Sequence, residues 1–183
     1  ETTDSSGSSE SGNDTGETFT LISSIQAPQT ADLSKGFDAY LDTVEELSNG
    51  RIEFERYYGE TLVKAPDHLD AVSSGIADIA LLVPSYTPGQ NPLASIESLP
   101  ALWENQWAGT RAYMDLYKEY SEFREEFENL NVQVVGHWAL PSYYVIGNDN
   151  IASIDDLQGK SLITAGGLSL LADEIGANSV GIV

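Results

Sequence analysis

The chain has 183 residues, with 29 Asp+Glu against 8 Lys+Arg, two His and no Cys, for a formal net charge of −21. That charge argues against nucleic-acid binding and against docking on anionic lipid, and the missing thiols exclude disulfide scaffolds, thiolate metal sites and cysteine nucleophiles. The 41% hydrophobic content supports a packed core, and no apolar run reaches the roughly 18 residues of a membrane span.

Residues 1–17, ETTDSSGSSESGNDTGE, hold five acids and no large apolar side chain, which predicts a flexible acidic tether. A tether behind an N-terminal Glu fits the product of export-signal cleavage, with lipid attachment as an inference only, and Asn13-Asp14-Thr15 is a glycosylation acceptor pattern. Phe19–Ser23 is a short β-prone run. Leu33, Phe37, Tyr40, Leu41, Val44 and Leu47 then share one helical stripe over residues 30–49, stopped at Asn49-Gly50. Ile52–Tyr57 is strand-like, Pro66–Ser74 predicts a second helix, and Ile79–Val83 reads as a strand covered on both faces. This β-α-β-α-β order implies a parallel sheet with right-handed crossovers.

Pro84, Pro88, Pro92 and Pro100 punctuate an ordered loop, and residues 105–129 form an acidic, aromatic-rich helical segment. Val132–Trp138 and Tyr143–Ile146 are expected to be strands. Ser153-Ile154-Asp155-Asp156 has the form of a capping box opening a short turn that stops at Gly159. Ser161–Thr164 predicts another strand, and residues 168–175 a helix stopped by Gly176. Asn178–Val183 reads like the start of a further strand, so the chain is expected to be truncated at its C-terminus. The dispersed acidic excess is the pattern of a halophilic protein, in which counter-ions screen self-repulsion.

Little here supports catalysis. Neither His68, placed on the polar side of its helix, nor His137, structural or pocket-lining beside Trp138, has a nucleophile or ligand partner at suitable spacing. Carboxylate pairs such as Asp155-Asp156 are expected by chance among so many acids. Thr164-Ala165-Gly166-Gly167 before a helix is either a tight turn or a backbone anion site.

Several collinear motifs resemble the extracytoplasmic solute-binding proteins of TRAP transporters, the DctP-type family. Glu45-Glu46-Leu47-Ser48-Asn49-Gly50-Arg51-Ile52 is similar to the family's first helix end. Residues 69–80, LDAVSSGIADIA, resemble its L-x-x-V-x-x-G-x-x-D-x-A segment. Pro84-Ser85-Tyr86, Ser98-Leu99-Pro100, Asp155-Asp156-Leu157-Gln158-Gly159-Lys160 and Gly176-Ala177-Asn178-Ser179-Val180 follow in order, the last with Ser179 where the family has Pro.

The resemblance implies an α/β, periplasmic-binding-protein-like (type II) two-lobe fold. Residues 18–138 would form the first lobe and residues 139–183 the start of an incomplete second. It implies a binding protein and not an enzyme, with no cofactor, a small organic solute as ligand, TRAP membrane permease subunits as partners and a cell-surface location. The positions matching the family pocket are Gln26, Ser85, Tyr86, Trp138, Tyr143 and Thr164, each alternatively a loop or core residue. Carboxylate-binding members carry a clamping Arg where this chain has Ile163, and residues 125–183 contain no Arg, so a neutral, polar or partly aromatic solute is expected. The alternatives are an α/β hydrolase-like enzyme using acidic residues and a fragment without binding activity.

Overall fold

The computed structural model describes residues 16–99, 102–141, 143–164 and 168–181. The expected tether, except Gly16 and Glu17, the Asn13 acceptor pattern, Pro100, the Ala165-Gly166-Gly167 turn and residues 182–183 lie outside them.

Three parallel strands, β1 (Phe19–Ser24), β2 (Ile52–Tyr57) and β3 (Ile79–Ala80), form one sheet in the order β2-β1-β3. Between them run α1 (Asp32–Leu47) and α2 (His68–Ser73), the latter preceded by a 3-10 turn at Ala65–Asp67. Right-handed crossovers to opposite sides of β1 put these helices on opposite faces of the sheet. Packing follows that division. Phe37 and Leu41 of α1 join Ile25 and Leu81 in one core, with Ile79 and Val83 against it. Leu69 of α2 joins the aromatic residues of the later helices in the other core, with Leu82 against it. Ile79–Val83 is therefore covered on both faces as expected, although only its first two residues pair as a strand. β1 ends at Ser24, whose carbonyl accepts from Leu81 N–H at 3.0 Å, so the run beyond has no ladder partner.

His68 departs from its expected surface position, being only 1% exposed. Its Nδ1–H donates to the Leu81 carbonyl at 3.0 Å, and its Nε2 accepts from the Ser24 hydroxyl at 3.1 Å. The imidazole thus joins the ends of β1 and β3 in place of further ladder bonds.

The aromatic segment is two helices, α3 (Gln106–Glu119) and α4 (Ser121–Glu128), joined at Tyr120 in extended conformation. Asn105 caps α3 by accepting from Ala108 N–H at 2.9 Å. Arg124 closes its other end on the Tyr117 and Lys118 carbonyls, at 3.2 and 2.8 Å. The break lets α4 fold back, so that Phe123 meets Tyr113 edge-on at 5.0 Å and Phe127 meets Tyr117 at 6.2 Å.

Neither Val132–Trp138 nor Tyr143–Ile146 is a strand, a second departure from expectation. The first is held by helix side chains instead of a ladder. Tyr117 Oη accepts from Val134 N–H at 3.2 Å, Thr110 Oγ1 accepts from Ala139 N–H at 2.9 Å, and Gln106 Nε2 donates to the Ala139 carbonyl at 3.1 Å. Gly109 lets this segment approach, because a Cβ there would lie 3.0 Å from that of Ala139 and 2.9 Å from the Trp103 ring. Residues 143–146 are all exposed and have no sheet partner among the described residues.

β4 (Ser161–Thr164) and β5 (Asn178–Gly181) form a second parallel sheet across α5 (Leu168–Glu174). The capping box at Ser153–Asp156 is present at the head of a 3-10 turn, Ile154–Leu157. No helix among the described residues is long and apolar enough to cross a membrane.

Arg56 at the β2 edge gathers three carboxylates of α1: Asp38 at 3.4 Å, Asp42 at 2.7 Å and Glu45 at 3.0 Å. Replacing it leaves these acids one helical turn apart and uncompensated. The Arg56→Gln variant is expected to lose about 1–2 kcal/mol in dilute buffer and clearly less in molar KCl, where charges are screened within about 3 Å. Urea denaturation at the two salt concentrations measures the difference, and an equal loss in both would show that the network is not electrostatic.

Candidate functional site

In a sheet ordered β2-β1-β3, the chain leaves β1 toward β2 and later returns to the opposite side of β1. The carboxyl ends of β1 and β3 therefore flank a switch point, the place where open α/β sheets bind their ligands. Gln26 follows β1, and Ser85 and Tyr86 stand in the 3-10 turn Pro84–Tyr86 that follows β3. The Gln26 side-chain carbonyl oxygen is buried with no hydrogen-bond partner. Ser85 is half-buried, and its hydroxyl bonds to no other described residue.

The next turn, Ala94–Ser98, packs on Pro84–Tyr86 and is tied to it by Ser95 Oγ donating to the Pro84 carbonyl at 3.0 Å. It brings in Glu97, which sequence reasoning passed over. Burial alone pushes the Glu97 carboxyl up to about 7. His137 comes from the extended segment, its Nδ1 4.0 Å from Glu97 Oε2 and its ring stacked on Tyr113 at 3.9 Å and 12°. Burial pulls His137 down to about 4, so acid and imidazole are each driven toward the neutral form and do not make a salt bridge at neutral pH. Tyr143 lies at the margin of the group: it is largely exposed, and its hydroxyl is raised by partial desolvation, then by Tyr86 and Glu97.

Of the expected pocket positions, Tyr143 stands near enough to Tyr86 for it to raise the Tyr143 hydroxyl, while Tyr143 itself is 71% exposed. Trp138 is 38% exposed between the half-buried His137 and the buried Ala139, on the outward side of that alternation. Thr164 stands apart in β4, its hydroxyl bonded to Ser179 Oγ across the small sheet at 2.7 Å. Ile163 is 73% exposed. A signal for Glu97 was available, since it is the only charged residue between Asp78 and Glu104 in a chain otherwise rich in acids. His137 is likewise the one ionisable side chain besides tyrosines between Glu128 and Asp149. Among the described residues no three His, Asp or Glu side chains converge as a metal site.

The model of DctP, bacterial extracellular solute-binding protein, family 7, matches residues 23–181. Among solved structures, a TRAP periplasmic solute-binding protein from Desulfovibrio salexigens is 26% identical with a TM-score of 0.75, over 90% of this chain and 50% of its own. One from Rhodoferax ferrireducens, in complex with copurified benzoate, is 24% identical with a TM-score of 0.78, over 90% of this chain and 51% of its own. A marine-metagenome protein specific for aromatic acids, in complex with 3-hydroxybenzoate, is 23% identical with a TM-score of 0.79, over 91% of this chain and 52% of its own. The chain spans about half the length of these solved structures. The fold is the α/β, periplasmic-binding-protein-like fold of these two-lobe receptors.

The buried titratable groups give opposing pH slopes. The unfolded chain takes protons on His68 and His137 below about pH 6.5, whereas the folded chain resists, so their contribution is present above that pH and lost on acidification. Glu97 acts oppositely: the folded chain holds its proton from the ordinary value of 4.5 up to about 7, so stability falls as pH rises through that window. Glu97→Gln removes the second slope. The variant is expected to match the parent near pH 5 and to exceed it by about 2–3 kcal/mol above pH 7. Urea midpoints at the two pH values report this, and a variant less stable than the parent at high pH would contradict it.

Proposed function

The chain belongs to family 7 of the bacterial extracellular solute-binding proteins, the DctP family, and from that membership we propose that it is the solute-capturing component of a TRAP-type importer. It binds a small organic solute outside the cytoplasmic membrane and passes it to the permease subunits without making or breaking a bond. Residues 18–138 act as the first lobe and residues 139–183 belong to the second, with residues 1–17 as an acidic tether. The solute lies in the cleft between lobes, and closure on it shifts an open–closed equilibrium.

The observation that supports this reading is the buried, unpartnered Gln26 side-chain oxygen after β1, in a sheet whose switch point lies between β1 and the Pro84–Tyr86 turn after β3. Gln26 and Ser85 supply polar contacts on the first-lobe side, and Tyr86 and Tyr143 supply flat walls. Trp138 and Thr164 contribute from the linking segment and from β4. The orphaned Gln26 oxygen supports this assignment, because a buried acceptor is costly until a donor reaches it.

The Rhodoferax and marine-metagenome proteins are described with aromatic carboxylates. This chain has no equivalent clamp: Ile163 occupies the Arg position, and Lys160, the only Lys or Arg in residues 125–183, is paired with Asp149 at 2.6 Å. The solute is therefore polar or partly aromatic without an Arg-clamped carboxylate. The acidic composition supports operation in concentrated salt.

A thermal-shift screen of small solutes in molar KCl is expected to find one that raises the melting temperature, since binding to the native state stabilises it. Gln26→Ala and Tyr86→Ala are each expected to weaken that solute about 5–30-fold in calorimetric titration. Binding unaffected by either substitution would remove the site from this crevice.

A further inference from the structure

Most carboxylates of this chain that touch other groups are already spent. Glu126 accepts from Leu93 and Ala94 N–H at 2.7 and 2.9 Å, closing the same turn that carries Glu97. Glu97 differs. Its side chain is 21% exposed, no described donor hydrogen-bonds to it, and at 4.0 Å His137 lies beyond hydrogen-bond reach. The His137 side chain is 11% exposed, and its Nε2 is buried without a partner. An acid facing Nδ1 favours the tautomer protonated there, which leaves Nε2 as an acceptor. The Gln26 oxygen after β1 is a further buried acceptor without a partner, while the Asn91 amide nitrogen is a buried donor without one. A fold tolerates such desolvated, unsatisfied atoms where something else completes them.

We propose that Glu97 and His137 are the specificity-determining polar pair of the crevice, accepting hydrogen bonds from a hydroxyl or amine of the solute while Tyr86 and Tyr143 flank its body. This rests on the solute-receptor reading and adds to it the class of solute: one bearing a hydroxyl or amine donor. Tyr113, stacked beneath His137, positions the imidazole without meeting the solute. Burial that raises the Glu97 carboxyl is consistent with the pair, because the neutral acid still accepts through its carbonyl oxygen and the ionised acid accepts through both oxygens. A carboxylate solute would find Ile163, and no Arg, at the clamp position.

The test uses the 183-residue chain in molar KCl with three probes of matched shape: benzyl alcohol, benzylamine and benzoate. Calorimetry is expected to give binding of the alcohol or the amine about tenfold or more tighter than benzoate, with the His137 ring resonances moving in NMR titration. Glu97→Gln and His137→Gln should each weaken the favoured probe about tenfold, while Glu125→Gln on the exposed face of α4 should not. Amine preference growing between about pH 6 and pH 8 identifies an ammonium held by the ionised acid, and a pH-independent preference for the alcohol identifies a hydroxyl; either supports the pair. Benzoate binding as tightly as the others, or a favoured probe indifferent to both substitutions, overturns the proposal while leaving a solute receptor. If no solute of any charge stabilises or titrates the chain, the receptor reading itself fails.

Discussion

One face of α3 governs the site. Gln106, Gly109, Thr110, Tyr113 and Tyr117 recur at helical spacing, and four of them bond to or stack on the segment 134–139 while Gly109 gives it room. Without a neighbouring strand, that segment would carry unpaired backbone groups into a half-buried position. Helix side chains satisfy them instead. The consequence is positional: His137 is pressed on Tyr113 and held beside Glu97, and the chain emerges so that Tyr143 comes near Tyr86. The placement of His137 beside Glu97 follows from a helix substituting for a sheet edge.

The acids of this chain show how a fold with few cations uses carboxylates. Many serve as acceptors for backbone N–H groups: Asp78 for Ile22 at 2.7 Å, Glu45 for Phe54 at 3.0 Å, Glu60 for Ala65 at 3.0 Å and Asp156 for Ala152 and Ser153. Such charge-assisted bonds need no counter-charge, and they keep Glu60 and Asp156 well below the usual carboxylate range. Where a cation is used it is shared, as Arg56 is among three acids of α1. Repulsion among the remaining surface acids is left to the solvent's ions.

Elements defined by local rules were legible in the residues. β2 has the predicted bounds because its period-two pattern lies between Asn49-Gly50 and the following turn, with both turn residues at positive φ. The capping box at Ser153 likewise follows from a local spacing. Elements decided by tertiary partners were not legible. Alternating burial in Val132–Trp138 looks the same whether the partner is a strand or a helix's side chains. The bend at Tyr120 has no Gly or Pro to announce it and depends on Phe123 and Phe127 finding Tyr113 and Tyr117. His68 looked solvated between Asp67 and Asp70, because its burial is set by Ser24 and Leu81, distant in the chain. For the candidate site, Tyr86 was named from motif order, while Glu97, alone between Asp78 and Glu104, was passed over because only the fold reveals its burial.

Glu97 is where stability and binding pull against each other. A carboxyl held up to about 7 by burial alone adds nothing to the folded state that an amide would not, and above that pH its charge is a burden. The neighbouring turn shows that the fold can satisfy an acid fully, as it does Glu126 with two backbone donors. Leaving Glu97 unsatisfied in the same turn, beside an imidazole nitrogen also without a partner, concentrates unmet hydrogen-bonding capacity at one end of the switch-point crevice. Unpaired buried acceptors discriminate by penalty as well as by attraction. A donor-bearing solute repairs the desolvated atoms, whereas an anion adds a further unpaired charge. In the proposed reading, Ile163 at the clamp position and the buried acid at Glu97 both bear on the charge of the solute.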